Sequence, residues 1–138
     1  YTLNNSRGSI SAGGTATLSA MELVNARGAI TGKTVAIDLK KSPLSYNSGR
    51  LDNTGGVIQA DEALTLNSAW RSVWDERGER IPDWAARIYP VTLNNQGGKI
   101  RAGGDLSATI NYELNNAQGS LSAGGVISLR ANRLVNTD

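Results

Sequence analysis

The phrase Leu-x-Asn-x-x-Gly recurs five times along this chain of 138 residues, and its first half, Leu-x-Asn, occurs once more near the C-terminus. The six phrases begin at Leu3, Leu23, Leu51, Leu93, Leu114 and Leu134. Successive leucines are 20, 28, 42, 21 and 20 residues apart. These spacings indicate a unit of about 20 residues with one small and one large insertion. A unit of this length is one supersecondary element, so the core must form by stacking of neighbouring units.

Apolar residues within each unit follow a fixed pattern, at positions 0, 7, 9, 13, 15 and 17 counted from the leucine. The fourth copy shows it as Leu93, Ile100, Ala102, Leu106, Ala108 and Ile110. A spacing of two that is interrupted twice predicts three short strands and two turns, whereas a helix needs apolar residues three and four apart. Three strands that return to the same phase describe one coil of a parallel β-helix, an all-β solenoid whose coils stack at roughly 4.8 Å.

Two polar features of the phrase recur at fixed positions. The asparagines two residues after the leucines are Asn5, Asn25, Asn53, Asn95, Asn116 and Asn136. We expect their carboxamides to form a structural ladder along the axis and to close the following turn, with a binding role as the alternative. The glycine that ends the phrase indicates either a positive φ or a close approach between coils. A Gly-Gly pair at the second turn is replaced by Asp61-Glu62 in the third copy, so we expect that turn to be exposed and less demanding.

The repeat resembles that of a known family. Residues 93–106, LNNQGGKIRAGGDL, are similar to the filamentous haemagglutinin repeat of large two-partner-secreted exoproteins of Gram-negative bacteria. The resemblance covers residues 1–70 and 91–138. It implies a right-handed parallel β-helix, in which residues 1–138 form a single segment of a longer filament. The family includes adhesins of the filamentous haemagglutinin type and the toxin-delivery proteins of contact-dependent growth inhibition.

The same resemblance implies how the chain is exported and where it works. The expected partner during export is a two-partner-secretion transporter of the outer membrane, and the expected location is extracellular or on the bacterial cell surface. The chain has no cysteine, which suits this route because a periplasmic disulfide would obstruct an unfolded chain. The implied role is a stalk that holds adhesive or toxic parts away from the cell. A receptor or glycan on a target cell is a second expected partner.

A small insertion in the second copy covers residues 40–50. It contains Ser-Pro and Asn-Ser-Gly turn signals, which predict a loop at a corner of the coil with Lys40 and Lys41 in solvent. A tolerated surface loop and a contact site are both compatible with this composition.

A large excursion, residues 70–90, separates the third and fourth copies. It contains all three tryptophans of the chain and many charged residues, a composition that no coil of the rod can have. Two explanations are open: the tryptophans pack on the rod and anchor the excursion, or the excursion presents aromatic and arginine side chains to a partner. The candidate partner-binding residues are Trp70, Arg71, Trp74, Arg77, Arg80, Trp84, Arg87 and Tyr89.

Several classes of chemistry lack the residues they need. The chain has no histidine, which is the usual base of nucleophilic triads. It also has no cysteine, so both of the usual zinc ligands are absent. A calcium-binding β-roll needs a repeated aspartate, and only Asp105 follows a Gly-Gly pair. We therefore expect no catalytic, cofactor-binding or metal site. Charge is nearly balanced, with 14 Lys and Arg against 12 Asp and Glu, so binding to nucleic acid is not expected. The longest apolar runs are only a few residues, so membrane insertion is not expected either.

Two alternatives to a simple stalk remain. The first is a polysaccharide-binding or polysaccharide-cleaving β-helix, since such enzymes need carboxylates held together on one face. Its carboxylates would come from the excursion, at Asp75, Glu76, Glu79 and Asp83. The second is end-to-end self-association, because the ends of a β-helix are open strand edges.

Overall fold

The computed structural model describes residues 1–39, 49–68 and 91–138. These residues form short strands and turns, and no helix occurs among them. The described strands are β1 (Thr2–Asn4), β2 (Ser9–Ser11), β3 (Thr15–Ala20), β4 (Glu22–Val24), β5 (Ala29–Gly32), β6 (Thr34–Leu39), β7 (Arg50–Asp52), β8 (Val57–Ala60), β9 (Leu64–Asn67), β10 (Thr92–Asn94), β11 (Lys99–Ala102), β12 (Leu106–Thr109), β13 (Glu113–Asn115), β14 (Ser120–Ala123), β15 (Ile127–Arg130) and β16 (Arg133–Val135).

The strands form three parallel sheets, each of which takes one strand from successive coils. Sheet 1 has the order β1-β4-β7-β10-β13-β16, sheet 2 the order β2-β5-β8-β11-β14, and sheet 3 the order β3-β6-β9-β12-β15. Each strand pairs with its equivalent one coil away, as Leu3 does with Leu23 in β1 and β4. This topology confirms the parallel β-helix that the apolar spacing predicts.

The core consists of apolar columns that run along the axis between the three sheets. The leucines that open the phrase are completely buried in the interior coils, at Leu23, Leu51, Leu93 and Leu114. Isoleucines seven residues later form a second buried column, at Ile30, Ile58 and Ile100. Burial of one such side chain contributes about 1.5–3 kcal/mol. Because the members of each column lie opposite one another in paired strands, the core depends on the register of the whole stack.

Both interruptions of the repeat leave this register unchanged. Leu51 lies opposite Leu23 on one side and opposite Leu93 on the other, although 28 and 42 residues separate these leucines along the chain. The rod resumes at Arg50, the last residue of the predicted 40–50 insertion, which begins β7. Strand pairing is therefore set by the phase of the repeat and not by the length of the connections.

Candidate functional site

The residues that flank both insertions lie at the same corner, the one that joins a strand of sheet 3 to the next strand of sheet 1. The small insertion runs between Leu39 and Gly49, and the excursion runs between Ser68 and Val91. One coil earlier, the single residue Met21 connects β3 to β4 at this corner. The two insertions therefore start from one edge of the rod in successive coils, which are roughly 4.8 Å apart.

Asn111, in the following coil, holds both ends of the excursion. Its side-chain oxygen accepts a hydrogen bond from the Val91 N–H at 2.6 Å. The backbone N–H of Asn111 donates to the Ser68 hydroxyl at 2.9 Å. That hydroxyl in turn donates to the carbonyl oxygen of Thr109 at 3.0 Å. Ser68 and Val91 are only 3% and 5% exposed, so water competes little for these bonds. The excursion thus begins and ends at buried residues that share one hydrogen-bonding partner.

The end of the small insertion packs against the end of the excursion. The Arg50 N–H donates to the carbonyl oxygen of Met21 at 3.0 Å, and the Thr92 N–H donates to that of Gly49 at 3.1 Å. A β-carbon at Gly49 would lie 2.9 Å from Cγ2 of Val91, so this contact requires glycine. The corner is therefore closely packed through three successive coils.

The candidate partner-binding side chains all lie outside the described residues. They are Trp70, Arg71, Trp74, Arg77, Arg80, Trp84, Arg87 and Tyr89. The carboxylates of the enzymatic alternative, from Asp75 to Asp83, lie outside them as well. What the structure provides is the pair of residues that bound their segment, Ser68 and Val91, and the corner to which both are attached.

The six asparagines of the phrase form one continuous hydrogen-bonded column. In each step the Nδ2 group of one asparagine donates to Oδ1 of the asparagine in the next coil at 2.7 Å. The pairs are Asn5 with Asn25, Asn25 with Asn53, Asn53 with Asn95, Asn95 with Asn116, and Asn116 with Asn136. The same Nδ2 groups lie 3.2–3.4 Å from the carbonyl oxygen of the glycine three residues later, across the turn. The column therefore links the coils and also spans the first turn of each complete coil.

The glycine of the phrase is required by a close approach between coils and not by a positive φ. A β-carbon on Gly28, Gly56, Gly98 or Gly119 would overlap the carbonyl oxygen of the asparagine in the preceding coil. It would also lie 2.5–2.7 Å from Oδ1 of the asparagine in its own coil. Of the two explanations that the sequence leaves open, the close approach is the correct one.

The positive φ of this turn occurs one residue earlier. Residues at that position have φ between 55° and 62°; they are Arg7, Arg27, Gly55, Gly97 and Gln118. No sequence signal marks the position, because arginine or glutamine occupies it in three of the five complete coils. Such a conformation costs a non-glycine residue roughly 1–2 kcal/mol, which the surrounding coils must offset.

A second polar position, immediately after the leucine, also closes the first turn. The side-chain oxygens of Asn4, Asp52 and Asn115 accept the N–H two residues further on at 2.9–3.0 Å, and that of Asn94 does so at 3.3 Å. The repeat pattern does not reveal this position, because Val24 occupies it in the second coil. The Asn-x-Ser and Asp-x-Thr turn signatures could have identified it in the first and third coils.

Asp52 combines this turn with a shifted pKa. Burial of the carboxylate raises its pKa, but hydrogen bonds from the hydroxyl and N–H of Thr54, at 2.6 and 3.0 Å, lower it. The guanidinium of Arg50 also donates to the carboxylate and attracts its charge. The lowering effects prevail, so the pKa of Asp52 lies below its usual value. The carboxylate is thus stabilised in its charged form as part of the turn.

The second turn is largely exposed, but its glycines are not equivalent. Nothing lies within 4 Å of the place where a β-carbon on Gly13 would be, whereas a β-carbon on Gly103 or Gly124 would overlap a carbonyl oxygen of the preceding coil. The expectation that this turn is less demanding therefore agrees with the open space at Gly13 but not with the close approaches at Gly103 and Gly124. Lys33 and Glu62 form an ion pair at 3.3 Å across the second and third coils, but both are exposed and contribute little.

The described residues offer no cluster of acidic side chains that could hold a metal ion. Asp105, the aspartate after a Gly-Gly pair, accepts the Val126 N–H at 2.8 Å through Oδ1 and so links its turn to the next coil. In the same part of the chain, no helix is long and apolar enough to cross a membrane.

Comparison with known proteins identifies the repeat. A family model described as the haemagglutinin repeat matches residues 2–42, 39–69 and 89–138. These matches cover most of the chain, and their strands pair in register from coil to coil. No curated protein and no solved structure matches the chain. The chain belongs to the haemagglutinin repeat family.

Proposed function

We propose that this chain is a non-catalytic, extracellular stalk segment of a two-partner-secreted exoprotein that serves adhesion or contact-dependent toxin delivery. The observation that carries the proposal is the pairing of Leu51 with Leu93 in adjacent coils, although 42 residues separate them along the chain. A rod that maintains its register across such a connection can carry extra sequence without bending or breaking. Membership of the haemagglutinin repeat family supports the surface or secreted location.

The proposed export partner is an outer-membrane transporter of the two-partner type. A solenoid suits this route because each coil packs only on its neighbours and can fold as soon as the next coil emerges. The chain should reach the medium when it is fused behind a two-partner secretion domain and expressed with the cognate transporter. Retention inside the cell in the presence of that transporter would contradict the proposed route, and expression without the transporter is the control.

Recognition by this segment is proposed to occur through residues 70–90. The supporting observation is that Asn111 holds both Ser68 and Val91, so the two residues that bound the segment are buried and hydrogen-bonded at one corner. An attachment of this kind reduces the entropy that a surface segment loses when it binds. Aromatic and arginine side chains are the types that most often dominate binding energy.

Replacement of residues 69–90 by a short Gly-Ser turn tests this recognition. Because Met21 alone makes the equivalent connection in the first coil, the shortened chain should keep its β-helical circular dichroism. We expect it to lose binding to target cells, measured with fluorescently labelled protein. Replacement of residues 40–48 at the same corner is the matched control and should retain binding. Unchanged cell binding after removal of residues 69–90, in a folded protein, would eliminate the hypothesis.

The polysaccharide-cleaving alternative is not proposed, because neither the family nor the described geometry supports it. A polysaccharide-cleaving enzyme would release oligosaccharides, and this release can be measured. Incubation with host or bacterial polysaccharides should release no oligosaccharide, and Glu76→Gln and Glu79→Gln should change nothing. Release that disappears in either variant would restore the enzymatic reading.

A further inference from the structure

An open surface groove lies along the first turns of the first three coils. It has a volume of about 630 Å³ and is lined by Ser6, Arg7, Ala26, Arg27, Asp52 and Thr54. Arg7 and Arg27 occupy the same position in successive coils, with φ of 58° and 56°. Both side chains are exposed, and neither guanidinium has a hydrogen-bonding or ionic partner within residues 1–39, 49–68 and 91–138. Two unpaired positive charges therefore face one groove.

The groove is also lined by Ala26, whose backbone N–H is an unpaired donor in the described part of the chain. In the first, third, fourth and fifth coils the N–H at this point of the turn is bound by an asparagine or aspartate oxygen. In the second coil Val24 stands where that side chain would be, and the Ala26 N–H has no acceptor among the described residues. Among the five complete turns that the structure describes, this is the one that lacks its closing oxygen.

The one carboxylate on the groove does not cancel this positive character. One oxygen of Asp52 accepts the N–H and the hydroxyl of Thr54. The other oxygen is paired with the guanidinium of Arg50. The hydroxyl of Ser6 donates to Asn4 and so belongs to the neighbouring turn. The donors left for a ligand are the guanidiniums of Arg7 and Arg27 and the Ala26 N–H.

We propose that this groove binds a tetrahedral oxyanion, the phosphate or sulfate group of a ligand, which supplies the oxygen that the second coil lacks. Three residues that line the groove carry donor groups without a partner among the described residues, and a phosphate or sulfate ester has three free oxygens to accept them. A carboxylate offers only two oxygens, which lie in one plane, so we expect it to satisfy three separate donors less well than a tetrahedral oxyanion does. Backbone N–H groups in turns with αL residues are known to form anion-binding concavities.

Titration of the ¹⁵N-labelled chain with inorganic phosphate, inorganic sulfate or sodium acetate at constant ionic strength tests the proposal. We expect a saturable shift of the Ala26 and Arg27 amide resonances with phosphate or sulfate, and a weak or linear response to acetate. Saturation by phosphate alone or by sulfate alone would identify the source of the group. A linear response to both, or an equal affinity for acetate, would overturn the proposal.

Two variants with equal loss of charge separate a site from general attraction. The double variant Arg7→Gln/Arg27→Gln should lower the affinity for phosphate or sulfate at least about tenfold, because charge-assisted hydrogen bonds are lost. It should fold, because Gln118 already occupies this position with φ of 55°. The control, Lys99→Gln/Arg101→Gln, removes two exposed charges from sheet 2 and should keep the wild-type affinity. Equal weakening in both variants would contradict a localised site.

Val24→Asn provides a test that leaves every charge in place. The new side chain should close the turn as Asn4 and Asn115 do, so that the Ala26 N–H acquires an internal acceptor. We expect the anion affinity to fall while both arginines remain. Wild-type affinity in Val24→Asn, together with an Ala26 amide shift that shows the turn to be closed, would overturn the role assigned to this N–H.

Discussion

The side-chain oxygen of Asn111 lies 2.6 Å from the N–H of Val91, so one amide of the following coil holds the residue at which the excursion rejoins the rod. Loss of this oxygen would leave a nearly buried N–H without an acceptor. We expect Asn111→Ala to lower the free energy of unfolding by about 1–3 kcal/mol, measured by urea denaturation. Asn132, one coil later, is exposed, so Asn132→Ala should change little. Equal effects of the two substitutions would contradict a clamp at Asn111.

Hydrogen exchange gives a local check on the same clamp. In the wild type the Val91 amide should be protected by its bond to Asn111. In Asn111→Ala its exchange should accelerate more than that of amides in the first coil, because only the corner opens. Uniform acceleration along the whole chain would indicate global destabilisation and no local attachment.

The asparagine column should respond to substitution according to position. Asn53 donates to Asn95 and accepts from Asn25 in the buried interior, so Asn53→Ala removes both bonds and leaves Oδ1 of Asn95 without a donor. We expect a loss of about 3 kcal/mol or more in the free energy of unfolding. Asn136 is exposed and accepts one such bond, so Asn136→Ala should cost at most about 1 kcal/mol. A cost of about 1 kcal/mol or less at both positions would show that the column contributes little to stability.

Adjacent glycines in the fourth coil should differ in their tolerance of alanine. Gly98→Ala would place a β-carbon against the Asn53 carbonyl and 2.5 Å from Oδ1 of Asn95, which should destabilise the rod by about 1–3 kcal/mol or more. Gly97 has open space around it and φ of 62°, so Gly97→Ala carries only the conformational cost of about 1 kcal/mol. Thermal unfolding of both variants measures the difference. The reverse order would refute the close approach as the reason for glycine.

Acid should remove the contribution of Asp52 to stability. Its pKa is lower in the folded chain than in the unfolded one, so the charged carboxylate stabilises the fold above the unfolded value of about 3.9. That stability is lost as the pH falls through the lower folded value. Asp52→Asn keeps a side chain that closes the turn in other coils but does not titrate. The difference in urea midpoint between wild type and Asp52→Asn should therefore shift in favour of the variant below about pH 4. A difference that does not change with pH would contradict this.

The fold follows from the sequence because a repeat reports the same contact many times. The columns at Leu51 and Ile58 are visible as apolar residues at constant phase, and the phase predicts which strands pair. The asparagine position is visible for the same reason. Counting residues from the leucine does not always predict the register. Thr15 pairs with Thr34, although they lie 12 and 11 residues after their leucines, because the second coil has one residue fewer in the preceding turn.

Features confined to one coil could not be predicted in this way. The side-chain oxygen of Asn111 accepts the N–H of Val91, which lies 20 residues earlier in the chain. No repeat position predicts this bond, because it belongs to one corner of the rod. The αL position held by Arg7 has no preferred residue type, and the absent acceptor at Val24 becomes noticeable only when the other turns are seen to be closed. These properties belong to the three-dimensional arrangement of neighbouring coils, which a linear pattern does not encode.

The asparagine column gives the rod a polarity. In each of its five steps an Nδ2 group donates toward the C-terminal coil and the Oδ1 that accepts it faces the N-terminal side, so the amide dipoles point the same way. Wherever this column is divided, one cut face offers donors and the opposite face offers acceptors. We expect a coil added to either face to be favoured in the orientation that continues this donor–acceptor order. A row of uncharged side chains would in this way favour head-to-tail over head-to-head contact between rods.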